Sequence, residues 1–114
     1  MSFTYAKQPF ECEIIAVDFS RRIPAGVTIS PVSTAVTYVQ VEETIAPANT
    51  SASDYNGHLV ISSTTLVGIA GREKILAAKI SAGVSSFSYR VTFRITLSDG
   101  QKKEEDVLVT IKET

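Results

Sequence analysis

At 114 residues, with 11 Lys plus Arg against 12 Asp plus Glu, the chain has the length of one domain and a net charge of −1. That balance gives no electrostatic ground for a nucleic-acid partner or an anionic membrane surface, and no apolar run approaches the ~18 residues of a membrane span. The single cysteine, Cys12, excludes an internal disulfide and, with it, the framework of a small secreted domain.

Val, Ile and Thr supply 35 of the residues, and β-branched side chains fit a pleated surface better than a helix. The ten Gly and Pro are dispersed, so they punctuate the chain instead of forming a linker. In chain order, "FTYAKQPF" (3–10) is apolar and aromatic with no evident strand partner. It reads either as an N-terminal arm within residues 1–10 that docks on a neighbour through Phe3, Tyr5 and Phe10, or as a segment packed on its own domain. No basic stretch followed by an apolar one opens the chain, so no signal peptide is expected. "CEIIAVDF" (12–19) and "VTISPV" (27–32) read as strands joined through a turn at Pro24 and Gly26, with Cys12 as a small buried hydrophobe. "AVTYVQVE" (35–42) is a third strand. Residues 43–57 are small, polar and turn-rich, hence an exposed loop carrying Tyr55. Residues 58–68 form a strand bent at its serines. Residues 72–81 contain helix-favouring Ala, Leu, Glu and Lys; we prefer a strand with Leu76, Ala78 and Ile80 inward, one helical turn being the alternative.

The strongest pattern lies at the C-terminal end. Tyr89, Val91, Phe93, Ile95 and Leu97 share one parity, and Val107, Val109 and Ile111 share one beyond "SDGQ". A two-residue Asp99-Gly100 turn would put these apolar sets on opposite faces, which burial forbids. A three-residue loop, Ser98-Asp99-Gly100, with Gly100 left-handed repairs this: Val91 faces Val107 and Tyr89 faces Val109. A bulge in the second strand is the other solution. About seven short strands predict one all-β domain over 1–114, an immunoglobulin-like antiparallel two-sheet sandwich. Tyr89, near the start of a long late strand, sits where such domains place a corner tyrosine; the Trp and paired Cys of antibody domains are absent.

No catalytic constellation emerges. His58 needs a nucleophile and an orienting carboxylate, with Asp54 and Cys12 the available partners, and a loop or strand-start histidine is the favoured reading. One His and one Cys do not make a zinc site, and Glu104-Glu105-Asp106 beside Lys102-Lys103 reads as a solvated hairpin. No metal or cofactor is expected. Arg90 and Arg94 share a strand face and read as partners in cross-strand ion pairs, with an anionic ligand as the alternative. Asn49-Thr50-Ser51 matches a glycosylation acceptor, which we read as chance.

Two stretches carry a resemblance. "VDFSRRIPAGVTI" (17–29), with Asp18, Phe19, Ser20, Ile23, Gly26, Thr28 and Ile29, resembles a motif of small phage virion proteins of the fibre-tail (head-tail) adaptor type. So does "SAGVSSFSYRVTFRITLSDGQKKEEDVLVTI" (81–111), with Gly83, Tyr89, Ile95, Thr96 and Gly100. Phe19 stands where that family usually has Trp. The resemblance implies structural roles for Asp18, Phe19, Gly26, Tyr89 and Gly100, and a non-enzymatic phage or prophage protein made in the bacterial cytoplasm. Its partners would be other virion proteins or copies of itself in the neck or tail, with no nucleic acid or membrane. An alternative is an immunoglobulin-like carbohydrate or cell-surface module using Tyr38 and Tyr55 as platforms; an enzyme built on Cys12 and His58 is a third reading.

Overall fold

The computed structural model describes residues 2–7, 11–33 and 35–112, with backbone alone for Ser2, Phe3 and Tyr5. Seven strands form: β1 (Ser2–Lys7), β2 (Glu13–Asp18), β3 (Tyr38–Ile45), β4 (Val60–Val67), β5 (Ile75–Ser81), β6 (Ser88–Thr96) and β7 (Lys102–Ile111). They make a four-stranded sheet ordered β1-β7-β6-β3 and a three-stranded sheet ordered β2-β5-β4. The neighbours β7-β6-β3 and β2-β5-β4 follow the G-F-C and B-E-D orders of immunoglobulin-type sandwiches, whereas β1 lies on the opposite sheet from a constant-type first strand.

The alternation in β6 and β7 builds the centre. Tyr89, Val91, Phe93 and Ile95 are buried, opposite Val107, Val109 and Ile111, with Val91 paired to Val107 and Tyr89 to Val109. The odd loop is present: Leu97 N–H donates to Gln101 O at 2.7 Å, Gly100 N–H donates to Leu97 O at 2.9 Å, and Gly100 has φ +92°. From the other sheet Ile15, Val17, Leu76, Ala78 and Ile80 close the same core. Residues 75–81 are therefore sheet, because Leu76, Ala78 and Ile80, at even spacing, bury more as a strand than local propensity returns as a helix. β4 bends where expected, with Ser63 at φ +51° and a register shift between Ser62 and Thr65.

Four expectations are corrected. Residues 27–32 are not a strand: Ile29 makes an isolated bridge to Leu97, with Ser30 N–H donating to Thr96 O at 2.8 Å and Ser98 N–H donating to Thr28 O at 2.8 Å. Pro31, lacking an N–H, ends the pairing there. The seventh strand is β1, which has a partner within its own chain: it runs parallel to β7, Phe3 opposite Val107 and Tyr5 opposite Val109, so the sheet is not wholly antiparallel. β3 continues to Ile45, so residues 43–45 are strand and the loop is 46–57; a bulge between Val41 and Glu43 lets the strand absorb two consecutive glutamates. Cys12 precedes β2 and is exposed, not buried.

Candidate functional site

The first resembling motif builds one corner of the sandwich. Asp18 ends β2, and its Oδ1 accepts the Ser20 N–H at 2.8 Å, a turn in which a short side chain imitates the backbone. That bond, more than any neighbouring charge, holds the Asp18 carboxyl below its ordinary 3.8. Phe19 is wholly buried, and its N–H donates to Lys74 O at 2.8 Å, carrying the β2–β5 pairing one residue beyond the strand. A single 3-10 turn, Ser20–Arg22, then aims Arg22 across to the other sheet. Its Nη1 donates to Glu105 Oε2 at 3.0 Å and to Glu104 O at 2.9 Å, while the guanidinium lies 5.7 Å from the Phe19 ring centre. Pro24 O accepts Val27 N–H at 3.2 Å around Gly26 at φ +78°, and this type II geometry returns the chain to place Ile23 and Ile29 in the core. A cleft of about 650 Å³ lies here, lined by Val17, Phe19, Arg21, Arg22 and Glu105 among others.

The opposite end carries a second polar tie. Tyr89 is fully buried, and its hydroxyl accepts the Val84 N–H at 3.0 Å, the bond of a corner tyrosine to the backbone a few residues upstream. The same hydroxyl lies 2.8 Å from His58 Nδ1, and His58 Nε2 lies 2.9 Å from Ala52 O. A carbonyl only accepts, so Nε2 carries the hydrogen and, in the neutral ring, Nδ1 takes the Tyr89 proton. Both ring nitrogens are engaged in this chain of bonds, leaving neither to activate Cys12. Phe87 stacks on the cluster, and Tyr55, 46 % exposed, meets Phe87 edge-on with centroids 5.2 Å apart. Lys7 approaches the same end: it is 2 % exposed, and its Nζ donates to Ala82 O at 2.6 Å.

The outer face of β3, β6 and β7 is a ladder of charge. Arg94 donates to Tyr38 Oη at 2.9 Å, Glu104 Oε2 at 2.9 Å and Glu42 Oε1 at 3.0 Å. The Tyr38 bond first, then Glu104, pushes this guanidinium above its already high value. Arg90 lies 3.4 Å from Glu43 and 3.6 Å from Asp106, whose other oxygen accepts from Thr92 at 2.7 Å. Both arginines answer carboxylates of their own sheet. A groove of about 440 Å³ beside Tyr38 and Arg94 is rimmed by Lys102 and Lys103. Among the described residues no group of three or more His, Cys, Asp or Glu could hold a metal ion, and no helix is long and apolar enough to cross a membrane.

A family model described as podophage GP4 fiber-tail adaptor protein gp77 matches residues 7–110. The chain belongs to this family. No curated protein and no solved structure matches it. The match with the adaptor family takes in the first resembling stretch whole and the second up to residue 110, together with the polar ties at both ends.

The candidates with structural roles fall into three groups. Asp18, Phe19 and Gly26 form the first corner, Tyr89 the second, and Gly100 the β6–β7 loop. Phe3 and Tyr5 lie in β1, whose backbone is built into the chain's own sheet; Phe10 lies outside the described residues; Tyr55 is exposed on the loop. Sequence reasoning missed Lys7, the Arg22–Glu105 pair and the role of His58 as a tie. Lys7 had a signal, sharing parity with Phe3 and Tyr5; the other two span 83 and 31 positions and had none.

Proposed function

We propose that this protein is a non-enzymatic structural subunit of a podophage tail, forming contacts with other virion proteins where fibre and tail meet. Membership of the fibre-tail adaptor family is the observation that carries the reading. The polar groups support it. His58, the chain's one histidine, has both ring nitrogens in bonds that hold the fold, and Cys12 stands exposed just before β2. A carbohydrate module needs free aromatic faces, whereas the Tyr38 hydroxyl is held by Arg94, whose guanidinium lies 5.6 Å from the ring centre. The 46–57 loop with Tyr55, and the exposed strand edges, are the surfaces we assign to contacts.

The test is reconstitution. Tail particles from phage lacking this gene are mixed with the purified chain and sedimented. Stoichiometric co-sedimentation, followed by fibre attachment only in its presence, is expected. Failure to bind the tail, or fibre attachment without it, overturns the adaptor role; hydrolysis of a virion or cell-wall substrate by the chain alone overturns the non-enzymatic one.

A further inference from the structure

The two outer faces of the sandwich differ in chemistry. That of β3, β6 and β7 carries paired charges. That of β2, β5 and β4 carries a single Lys and a single Asp at its paired positions, the rest being six aliphatic residues and Ser62, Thr65 and Ser81. Its register gives successive rows in which Ile14 stands beside Lys79, Ala16 beside Ala77, and Asp18 beside Ile75, flanked on β4 by Val60 at one end and Val67 at the other. Ile14 is 67 % exposed, Val60 51 %, Val67 45 %, and Ile69, in the turn after β4, 72 %. Three of the eight large hydrophobics exposed in the described chain thus belong to this face, with Ile69 in the turn that follows β4, and exposed apolar area of this kind is a mark of interaction sites. One cation and one anion lie on β2 and β5 here: Lys79 and Asp18, one row to either side of the alanine row.

We propose that this face is the contact between two copies of the chain, related by a two-fold axis running across the strands through the Ala16–Ala77 row. Such an axis turns the second copy end for end. Lys79 of one copy then lies over Ile75 of the other, beside that copy's Asp18, and the same pair forms again by symmetry. The stem of Lys79 covers aliphatic surface while its ammonium meets the carboxylate. Val60 comes over the turn that carries Ile69. The alanines at the centre allow the ~10 Å approach of stacked sheets.

Three strands spaced ~4.8 Å, over four rows of ~6.7 Å, present roughly 400 Å² of flat face per copy. That is below the ~800 Å² per partner of a standard interface, so the contact forms at high local concentration, as among copies held in one particle. That setting rests on the proposed virion role, whereas the association of purified chain with itself is measured without it.

Sedimentation velocity from low micromolar to millimolar concentration is the test. The average mass is expected to rise from the 12.3 kDa monomer toward twice that value. Ile14→Asp and Lys79→Asp should each weaken association by about tenfold or more, because the axis sets position 14 over Asp18 of the other copy and position 79 beside it, so that acids face each other. Val36→Lys, on an exposed residue outside this face, should leave association unchanged; circular dichroism confirms that each variant keeps its sheet. In a Cys12→Ser background, Ala16→Cys lies on the axis and should be joined to its mate by a short bis-maleimide. Val60→Cys, two rows off the axis, would be ~27 Å from its mate and should not be joined. A chain that stays monomeric throughout, association indifferent to either charge substitution, or cross-linking at position 60 as readily as at 16 overturns the proposal.

Discussion

Replacing Tyr89 with Phe isolates the corner tie, because it removes one oxygen and leaves the ring, fully buried in the core, in place. Two bonds disappear. The Val84 N–H loses the acceptor at 3.0 Å, and His58 Nδ1 loses the donor at 2.8 Å. An unsatisfied buried donor costs about 1–3 kcal/mol, and Val84, being half-buried, belongs at the lower end. His58 is half-buried too and can recover a water, so its loss adds ~0.5–1 kcal/mol. The expected total is about 2 kcal/mol. For a domain of this size that is a melting temperature lower by roughly 8 °C, at ~4 °C per kcal/mol. Urea unfolding should show a lower midpoint with an unchanged slope, since the surface exposed on unfolding is the same. A double-mutant cycle with His58→Ala should give a coupling of ~0.5–1 kcal/mol, because both substitutions break one shared bond. A Tyr89→Phe protein within ~0.5 kcal/mol of the parent, or a coupling of zero, would refute the claim that this end is held by a linked chain of hydrogen bonds.

Two glycines separate strain from crowding. Gly100, at φ +92° with open space where an added methyl would sit, should cost only ~1–2 kcal/mol as Gly100→Ala, whereas in Gly83→Ala a Cβ 2.7 Å from the Ile111 side chain adds overpacking of ~1–3 kcal/mol to similar strain; equal urea midpoints would contradict this. Arg22→Ala removes a charge-assisted bond to Glu105, itself 8 % exposed, and should lower stability by about 1–2 kcal/mol, with Glu105→Gln recovering part of the loss in the double variant. The alkaline range has two opposed contributions. Burial raises the Tyr89 hydroxyl above its ordinary 10.0, so the folded chain keeps that proton longer, and its stabilisation is complete below pH 10.0 and lost as pH climbs through the folded value. Burial lowers Lys7 below its ordinary 10.5, so the unfolded chain binds that proton more tightly, and stability from this group rises with pH until 10.5 is passed. Unfolding midpoints followed across this range should lose the fall in Tyr89→Phe and the rise in Lys7→Met.

What the sequence made legible follows from the range of the forces involved. The β6–β7 hairpin was readable to the residue, because burial on one face permits one register and Gly100 marks where the backbone turns left-handed. Residues 27–32 have the same local alternation, yet pairing also needs the segment's own N–H donors, and Pro31 supplies none. Glu43 reads as the start of a loop because it follows Glu42 and adjacent charges break a period of two; a bulge restores the period, and bulges are invisible until the partner strand is known. β1 was unreadable as a strand for a related reason. It ends in Lys7, of a type seldom buried, which is buried here with the Ala82 carbonyl, 75 positions away, accepting from its ammonium. At the site, the Asp18-Phe19-Ser20 turn is local and was visible as a pattern, while the ion pair it positions was not.

The long-range polar bonds share one geometric property. Arg22 follows β2 of the three-stranded sheet and grips Glu105 of β7 in the other sheet; His58, leading into β4 of the three-stranded sheet, grips Tyr89 of β6. Each bond crosses between the layers, and along β7 they stand at Glu105 and opposite Val109, four residues or about 13 Å apart. A hydrophobic core resists separation of two sheets but is nondirectional, so it opposes sliding and rotation only through the interlocking of side chains. Directional bonds oppose those motions directly. Each contributes only ~1–3 kcal/mol, but two directional bonds at separate points resist rotation as well as sliding. If the layers are locked in this way, Arg22→Ala and Tyr89→Phe should loosen different regions: amide exchange should accelerate around residues 19–30 in the first and around 82–88 in the second, with the β6–β7 pairing between them least affected. Uniform acceleration along the whole chain in both variants would mean that the ties report global stability alone.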